Sequence, residues 1–282
     1  MTLRELIART ERRLRAARLH YGHGTDNAHD EAAFLVLRGL NLPFGADLDQ
    51  EVDAARVAPL VDRRIRERMP AAYLLGEAWL DGVPFHVDRR VIIPRSHIAF
   101  LFAELDLKPR RILDLCTGCG CLAILAARAF PKAHVDASDL SAAALALAAR
   151  NVARHGMQRR VRLIRSDLFA EIDARYDLIV SNPPYVSTAS MRRLPREYRY
   201  EPGIALAGGR DGLDLVARIL AGARERLTPS GLLVCEIGEN RKALERRFPA
   251  LEFAWPRDEV FVLARARMVG SRPTPPRRSR GG

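Results

Sequence analysis

The sequence has few cysteines, few aromatic side chains, almost no lysine and no long hydrophobic run. Aromatic residues make up 6% of its 282 residues, and no apolar stretch approaches the roughly 18 residues that a membrane span needs. The first residues, Met1-Thr2-Leu3-Arg4-Glu5, lack the apolar core of a signal peptide. We therefore expect a cytoplasmic protein that does not enter a membrane.

The scarcity of cysteine also bears on disulfides and metals. The four cysteines are Cys116, Cys119, Cys121 and Cys235. Three of them lie in one glycine-rich turn, which argues against a disulfide framework. The Cys116-x-x-Cys119 spacing resembles half of a structural zinc site, but such a site needs four ligands and no second Cys or His pair is present. The sequence therefore predicts no metal site.

Arginine supplies nearly all of the positive charge, and the charge is unevenly placed. The net charge is +12, from 46 Lys+Arg and 34 Asp+Glu. Residues 1–94 are neutral, with 14 of each sign, whereas residues 95–268 hold 28 basic and 20 acidic residues, and residues 269–282 add four arginines. This surplus is either arginine-rich usage without a role or a basic face that approaches nucleic acid or a nucleic-acid-rich assembly. A cluster of arginines shortly after the segment Asn182-Pro183-Pro184-Tyr185 favours the second interpretation: Arg192, Arg193, Arg196 and Arg199.

The pattern of the chain predicts three folded segments and a tail. Residues 1–76 have helical periodicity and predict a small helical domain, to which we assign substrate recognition because a complete catalytic fold follows it. Residues 77–94 predict a linking β-hairpin, since Asp81-Gly82 is a strong turn dipeptide between apolar runs. We expect residues 95–268 to form the catalytic domain, on motifs described below, and residues 269–282, rich in Pro, Arg, Gly and Ser, to form a disordered basic tail.

Strand patterns alternate with helix patterns through residues 95–268. This alternation predicts an α/β fold with a doubly wound, Rossmann-like parallel sheet that binds ligands at the carboxyl ends of its strands. We also expect one helix from Asp49 to Arg68 and another that is capped by Ser96 and runs to about Leu105.

The most informative motif is Asn182-Pro183-Pro184-Tyr185, which follows an apolar strand pattern at residues 176–180. The prolines end the strand and produce a stiff, extended shelf. Asn182 Oδ1 and the Pro183 carbonyl can accept both hydrogens of a planar NH2 group, and Tyr185 can stack on its face. Such a site would activate a poorly nucleophilic nitrogen by orientation alone. The alternative interpretation is a proline-rich turn that only ends a strand.

A second motif, Asp114-Leu115-Cys116-Thr117-Gly118-Cys119-Gly120, follows the first strand of the alternating region and opens a helix. Its glycines allow a ligand to approach the backbone closely. Asp139, at the end of the next strand, is placed to accept ribose hydroxyls, and Asp167, after the third strand, can accept from an adenine amine. Either aspartate can instead be a helix or turn cap.

The glycine loop alone does not choose between NAD and other adenosine cofactors, because Gly118-x-Gly120-x-x-Ala123 also fits a dinucleotide fingerprint. Two arguments favour S-adenosylmethionine. Asp114 would lie unfavourably near a pyrophosphate but suits a cationic sulfonium and amino group, and the Asn182 shelf has no use in hydride transfer. The expected cofactor contacts are Asp114, Cys116, Thr117, Gly118, Gly120, Asp139, Asp167 and Asn182.

In this order and spacing, the motifs resemble those of class I S-adenosylmethionine-dependent methyltransferases. More narrowly, residues from about 3 to 265 resemble the protein glutamine methyltransferase family, which modifies a glutamine amide of release factors and of a ribosomal protein. Residues 91–95, Glu201-Pro202 and residues 208–212 fit that family as well. Ser96-His97-Ile98-Ala99 differs from the sequence usual in the release-factor branch, and resembles the branch that acts on large-subunit ribosomal protein three.

The resemblance implies in-line transfer of a methyl group to a glutamine amide nitrogen of that ribosomal protein, with no strong general base. It assigns catalysis to Asn182, Pro183 and Tyr185, and completes the substrate site with Pro184. It also implies that Arg95 lies over the cofactor, and it leads us to expect Leu168 as an aliphatic wall against the adenine. Glu236 has no assigned role.

Three other functions stay open at this point. The first is a glutamine methyltransferase of release factors, and the second is an adenine amino-methyltransferase on nucleic acid, whose acceptor is also a planar NH2 group. The third is a non-catalytic ribosome-assembly factor that uses the fold only to bind. The intact Asn182 and glycine loop disfavour the third, and the neutral helical segment disfavours the second.

Overall fold

The computed structural model describes residues 1–268, which form two compact units. The first unit comprises Met1–Arg95 together with Leu194–Gly203, and the second comprises Ser96–Arg193 and the chain from Ile204 onward. The predicted tail at 269–282 lies outside the described residues. None of the helices in residues 1–268 combines the length and the apolar character that crossing a membrane requires.

The first unit contains helices and one hairpin: α1 (Leu3–Ala16), α2 (Ala28–Gly39), α3 (Ala58–Glu67), α4 (Ala71–Leu75), β1 (Glu77–Leu80) and β2 (Val83–His86). Asn27 caps α2, since its side chain accepts from the Asp30 backbone N–H. The helix predicted from Asp49 starts nine residues later, so that prediction was wrong. Pro59 lies in the first turn of α3, the part of a helix where a missing N–H costs nothing.

The hairpin is confirmed at its predicted turn. Leu80 pairs with Val83, and Asp81 and Gly82 have φ angles of 49° and 68°. Two successive residues with positive φ give the turn whose twist matches that of the flanking strands.

Buried ion pairs hold residues 194–203 within the first unit. Arg64 is fully buried, and its Nε donates to Glu31 Oε1 at 2.7 Å. Glu197, also fully buried, lies 2.8 Å from Arg68 Nη2 and 3.7 Å from Arg64 Nη1. Because a buried charge is tolerated only when it is paired, these contacts fix the segment in place.

The second unit is built on a seven-stranded sheet with the order β5-β4-β3-β6-β7-β9-β8. The strands are β3 (Arg111–Leu115), β4 (His134–Asp139), β5 (Val161–Arg165), β6 (Tyr176–Ser181), β7 (Leu227–Glu236), β8 (Ala254–Arg257) and β9 (Val260–Ala264). The first five are parallel, and β9 pairs antiparallel with β7 and β8. The predicted doubly wound α/β fold is confirmed.

The helices of this unit are α5 (Ile98–Leu101), α6 (Cys121–Ala129), α7 (Ala142–Arg154), α8 (Thr188–Met191), α9 (Asp214–Arg226) and α10 (Arg241–Arg247). The helix predicted to reach Leu105 was wrong in length. It ends at Leu101, whose carbonyl accepts from both Glu104 N and Leu105 N in a closing turn.

The chain order around β3 positions the site. β4 follows β3 on one side of the sheet, and β6 lies on its other side. In parallel α/β sheets, ligands bind at the carboxyl ends of the strands where the order reverses in this way. Four of the five β3 residues are buried, so the loop that leaves β3 stands on a rigid base.

Candidate functional site

The loop of residues 116–120 leaves β3 with alternate residues in the left-handed region. The φ angles are 60° at Cys116, 56° at Gly118 and 83° at Gly120. A Cβ built on Gly120 would lie 3.3 Å from Ala148 Cβ, because α7 packs closely there. A Cβ on Gly118 would meet no described atom within 4 Å. The loop therefore packs at Gly120 and leaves open space at Gly118.

Asp114 lies beneath this loop and is fully buried. Its Oδ2 accepts from Thr117 Oγ1 at 2.5 Å and from Ala123 N at 3.0 Å. Its Oδ1 is buried without a hydrogen-bond partner in the described part of the chain. Burial, together with the charge of Asp139, raises the pKa of Asp114 to about 7. An unsatisfied carboxyl oxygen in such a place favours a cationic or donor group nearby.

Asp139, at the end of β4, holds the loop from the other side. Its Oδ2 accepts from Gly118 N at 2.9 Å, and its Oδ1 accepts from Ser141 N at 2.8 Å. Burial raises its pKa as well. A carboxylate offers about four lone-pair positions, so capacity remains for the predicted ribose hydroxyls.

Asp167 and Leu168 follow β5, two strands away from β3 in the sheet. The Asp167 side chain is 50% exposed, and its Oδ2 lies 2.8 Å from Arg218 Nη2. Leu168 is buried with a φ of 50°. The structure thus supplies the apolar side chain at position 168, while the Asp167 carboxylate is engaged by an arginine.

The shelf begins where β6 ends. Ser181 lies beside Leu115 in register, and its Oγ donates to the Leu115 carbonyl at 2.9 Å. Because β3 and β6 are parallel neighbours, the glycine loop and Asn182 leave the sheet at the same edge. Asn182 is half-buried, and its side-chain amide makes no hydrogen bond to any of residues 1–268. The amide is therefore available to a ligand beside the glycine loop, whereas Pro183 is buried.

Residues 206–212 hold the shelf by hydrogen bonds and close packing. Val186 N donates to the Leu206 carbonyl and Gly208 N to the Val186 carbonyl, both at 2.9 Å. A Cβ on Gly208 would lie 2.7 Å from Tyr185 Cα, and one on Gly212 would lie 2.3 Å from the Tyr185 carbonyl oxygen. Only glycine permits such contacts. Residues 208–212 also fit the family pattern, and this close packing gives the physical reason for their glycines.

Glu236, which sequence reasoning left without a role, connects the shelf to the start of α5. Its carboxylate is 2% exposed at the end of β7. Oε2 accepts from Ser96 Oγ at 2.6 Å and His97 N at 3.0 Å, and Oε1 accepts from the Tyr185 hydroxyl at 3.4 Å. Burial raises the pKa of Glu236.

Arg95 belongs to the first unit, where Glu201 holds it. Arg95 Nη1 and Nη2 lie 2.5 and 2.7 Å from the two Glu201 carboxylate oxygens, and Glu201 also accepts from Ile93 N at 3.0 Å. A bidentate pair of this kind fixes the plane of the guanidinium. The two segments that fit the family pattern, residues 91–95 and Glu201-Pro202, therefore contact each other.

The electrostatics of the loop favour a cationic ligand. Burial, and then the charges of Asp139 and Asp114, raise the pKa of the Cys116 thiol well above its usual range, so this thiol stays neutral. The loop presents carboxyl groups, open space at Gly118 and no basic side chain, a set that suits an amino group and a sulfonium better than a pyrophosphate. Within residues 1–268, no group of three or more His, Cys, Asp or Glu side chains is arranged to hold a metal ion.

Comparison with known proteins gives three findings. A family model described as methyltransferase small domain matches residues 97–194. Proteins named ribosomal protein uL3 glutamine methyltransferase are similar over most of the chain. One from Bordetella pertussis is 53% identical and covers 95% of this chain and 96% of its own, and one from Neisseria meningitidis serogroup B is 45% identical and covers 95% of each. A crystal structure of a methyltransferase from Pyrococcus furiosus shares the fold, with a TM-score of 0.50 and 16% identity over 76% of this chain and 99% of that chain.

Proposed function

The chain belongs to the ribosomal protein uL3 glutamine methyltransferase family, and from this premise we propose that it transfers a methyl group from S-adenosylmethionine to the side-chain amide nitrogen of a glutamine in ribosomal protein uL3. The observation that carries the proposal is the Asn182 amide, which stands unbonded to the described chain beside the glycine loop. This function fits better than the release-factor, nucleic-acid and non-catalytic alternatives.

The residues around Gly118 would hold the cofactor, which supplies an electrophilic methyl group on its sulfonium. The unpaired Oδ1 of Asp114 and the loop backbone suit its cationic end, since the loop carries no basic side chain. The free lone pairs of Asp139 suit its ribose hydroxyls. Cys116, Thr117 and Gly120 shape the loop, and Leu168 offers an apolar surface to the adenine.

The shelf orients the acceptor nitrogen. An amide nitrogen is a poor nucleophile because its lone pair is delocalised, so the site must hold the NH2 group in one orientation. Asn182 Oδ1 and the Pro183 carbonyl would accept its two hydrogens, and the Tyr185 ring would pack on the amide plane, with Pro184 completing the site. Rigid orientation of reacting groups can supply several kcal/mol of the barrier reduction.

Glu236 and the glycines position these groups. Glu236 contacts the Tyr185 hydroxyl and fixes Ser96, and the close approach of Gly208 and Gly212 leaves the Tyr185 backbone a single position. We assign Glu236 a positioning role, because it is buried and is anchored by protein donors on its other oxygen.

A ribosomal protein substrate implies a cytoplasmic location and a ribosomal RNA environment during assembly. Residues 95–268 hold 28 basic and 20 acidic residues, and this net positive charge suits such an environment. We therefore propose that the protein acts close to ribosomal RNA while the large subunit is being assembled.

The test measures transfer of labelled methyl from S-adenosylmethionine to purified uL3 taken from cells that lack the enzyme. Wild-type protein should label one glutamine of uL3, and protein-free RNA and release factor should stay unlabelled. Asn182→Ala should lower kcat on the order of 10²–10³-fold, the loss seen when one preorganised hydrogen-bonding group is removed, while the Kd for S-adenosylmethionine stays largely unchanged. Asn41→Gly is the control, because it removes an exposed side-chain amide of the first unit at a φ of 59° that glycine adopts freely.

Each outcome decides between functions. Label on a release factor would assign the protein to the sister branch, and label in RNA alone would mean that the shelf holds a base amine. Full activity of Asn182→Ala would refute the orienting role of the shelf.

A further inference from the structure

The first unit contains a cavity of about 340 Å³ that the proposed methyl-transfer site does not use. Three aromatic side chains form one wall. Phe34 and Phe44 stack with ring centroids 6.4 Å apart, and Trp79 meets Phe44 edge to face at 4.9 Å. Phe44 is 51% exposed although the chain has few aromatic residues. An exposed aromatic group beside a cavity is typical of a binding site.

The charge of the cavity opposes that of the chain as a whole. Its lining includes Asp26 and Asp30 but neither lysine nor arginine, although the protein carries 46 Lys+Arg. Asp26 makes no hydrogen bond or ion pair within residues 1–268, and the Asp30 carboxylate accepts only from Asn27 there. Two exposed carboxylates without a basic partner favour a cationic occupant and disfavour a phosphate.

A buried histidine lines the same cavity without a partner. His23 is 3% exposed, and in the described chain neither ring nitrogen makes a hydrogen bond, since Glu201 Oε2 is 3.9 Å from Nε2. Burial lowers the pKa of His23 to about 3, so the ring is neutral and keeps an acceptor nitrogen. A buried polar group without a partner costs stability. A donor-rich occupant of the cavity would satisfy it.

We propose that this cavity binds an arginine side chain of the protein substrate, with its guanidinium against the aromatic wall and beside Asp26 and Asp30. The inference rests on the proposed function, because a protein that binds ribosomal RNA exposes arginines. A guanidinium fits these walls better than an ammonium, since it stacks on aromatic faces and carries five donors in a plane.

The first arm of the test does not depend on methyl transfer. The chain has two tryptophans, so Trp255→Phe leaves Trp79 as the only one, and its fluorescence is read with excitation that tyrosine does not absorb. Titration of this full-length protein with N-acetylarginine amide should change the fluorescence saturably. The uncharged isostere N-acetylcitrulline amide should bind at least about tenfold more weakly, the loss expected when a charged hydrogen bond becomes neutral.

The paired variant Asp26→Asn/Asp30→Asn should lower the affinity for N-acetylarginine amide about tenfold. Asp62→Asn, which removes an exposed carboxylate of α3 outside the cavity, should leave it unchanged. Equal affinity for the arginine and citrulline probes, or equal affinity of the paired variant and wild type, would overturn the assignment.

The second arm measures methyl transfer to uL3. The paired variant should raise the KM for uL3 about tenfold, with kcat and the KM for S-adenosylmethionine unchanged. A normal KM for uL3 beside a lost arginine site would overturn the link to the substrate. If wild-type protein does not label uL3, the proposed function fails, and the fluorescence arm alone decides whether the cavity binds arginine.

Discussion

A single methyl group added at Gly118 tests where the cofactor lies. The open space at Gly118 means that Gly118→Ala meets no protein atom within 4 Å, and its only intrinsic penalty is the φ of 56°. Gly156 provides a matched control, because it has a φ of 65° and its Cβ would also meet nothing within 4 Å. The two variants therefore carry the same backbone strain, but only one stands at the proposed cofactor site.

The expected magnitudes follow from this geometry. A non-glycine residue in the left-handed region costs about 1–2 kcal/mol, so both variants should lose a similar amount of stability. A methyl group that overlaps a bound ligand costs about 1–3 kcal/mol, which raises a Kd about 5- to 150-fold. Only Gly118→Ala should show the second effect.

The assay is calorimetric titration of S-adenosylmethionine into wild type, Gly118→Ala and Gly156→Ala, beside urea unfolding of each. We expect equal losses of unfolding free energy and a raised Kd for Gly118→Ala alone. An unchanged Kd in Gly118→Ala, with stability equal to that of Gly156→Ala, would show that the cofactor does not pass over Gly118.

Two further predictions concern buried charge. The pKa of Asp114 is raised from 3.8 to about 7, so the folded cofactor-free state holds a proton that the unfolded state releases. The unfolding free energy of wild type, relative to that of Asp114→Asn, should therefore fall by about 1.4 kcal/mol per pH unit as pH rises from 5 toward 7, and then level off. The same pH dependence of the unfolding free energy in both proteins, measured by urea unfolding, would contradict this prediction. Glu31→Gln should lower the unfolding free energy by about 3–5 kcal/mol, because it removes the charged partner closest to the buried Arg64. Glu67→Gln, which changes a more exposed pair with Arg63, should leave the urea midpoint unchanged. Equal effects of the two substitutions would refute the argument.

The sequence was informative where local chemistry decides structure. Asn182-Pro183-Pro184 ends β6 because two successive prolines cannot continue a strand ladder, and the alternating pattern placed the glycine loop after β3. Parallel strands then bring the loop and the shelf to one edge. This part of the site could therefore be predicted from the strand ends and the turn residues alone.

The remaining contacts depend on residues far apart in the chain. Glu236 meets Ser96 across 140 positions, and Asn240 donates to the Tyr185 carbonyl across 55. Periodicity and capping rules describe neighbours within a few residues, so they give no sign of these pairs. Arg218, which donates to Asp167, is also far away in the sequence, at 51 positions. The partner of an exposed carboxylate depends on such tertiary contacts and cannot be read from its sequence neighbours.

The discontinuous first unit has a consequence for biosynthesis. Arg64 emerges from the ribosome about 130 residues before Glu197, one of the two carboxylates that it needs once buried. At a synthesis rate of about 5–20 residues per second, the amino-terminal helices wait roughly 7–26 s for the segment at 194–203. During that interval Arg64, Arg68 and Arg95 lack their Glu197 and Glu201 partners. The first part of the chain to be made therefore cannot reach its final structure until residue 203 has been synthesised.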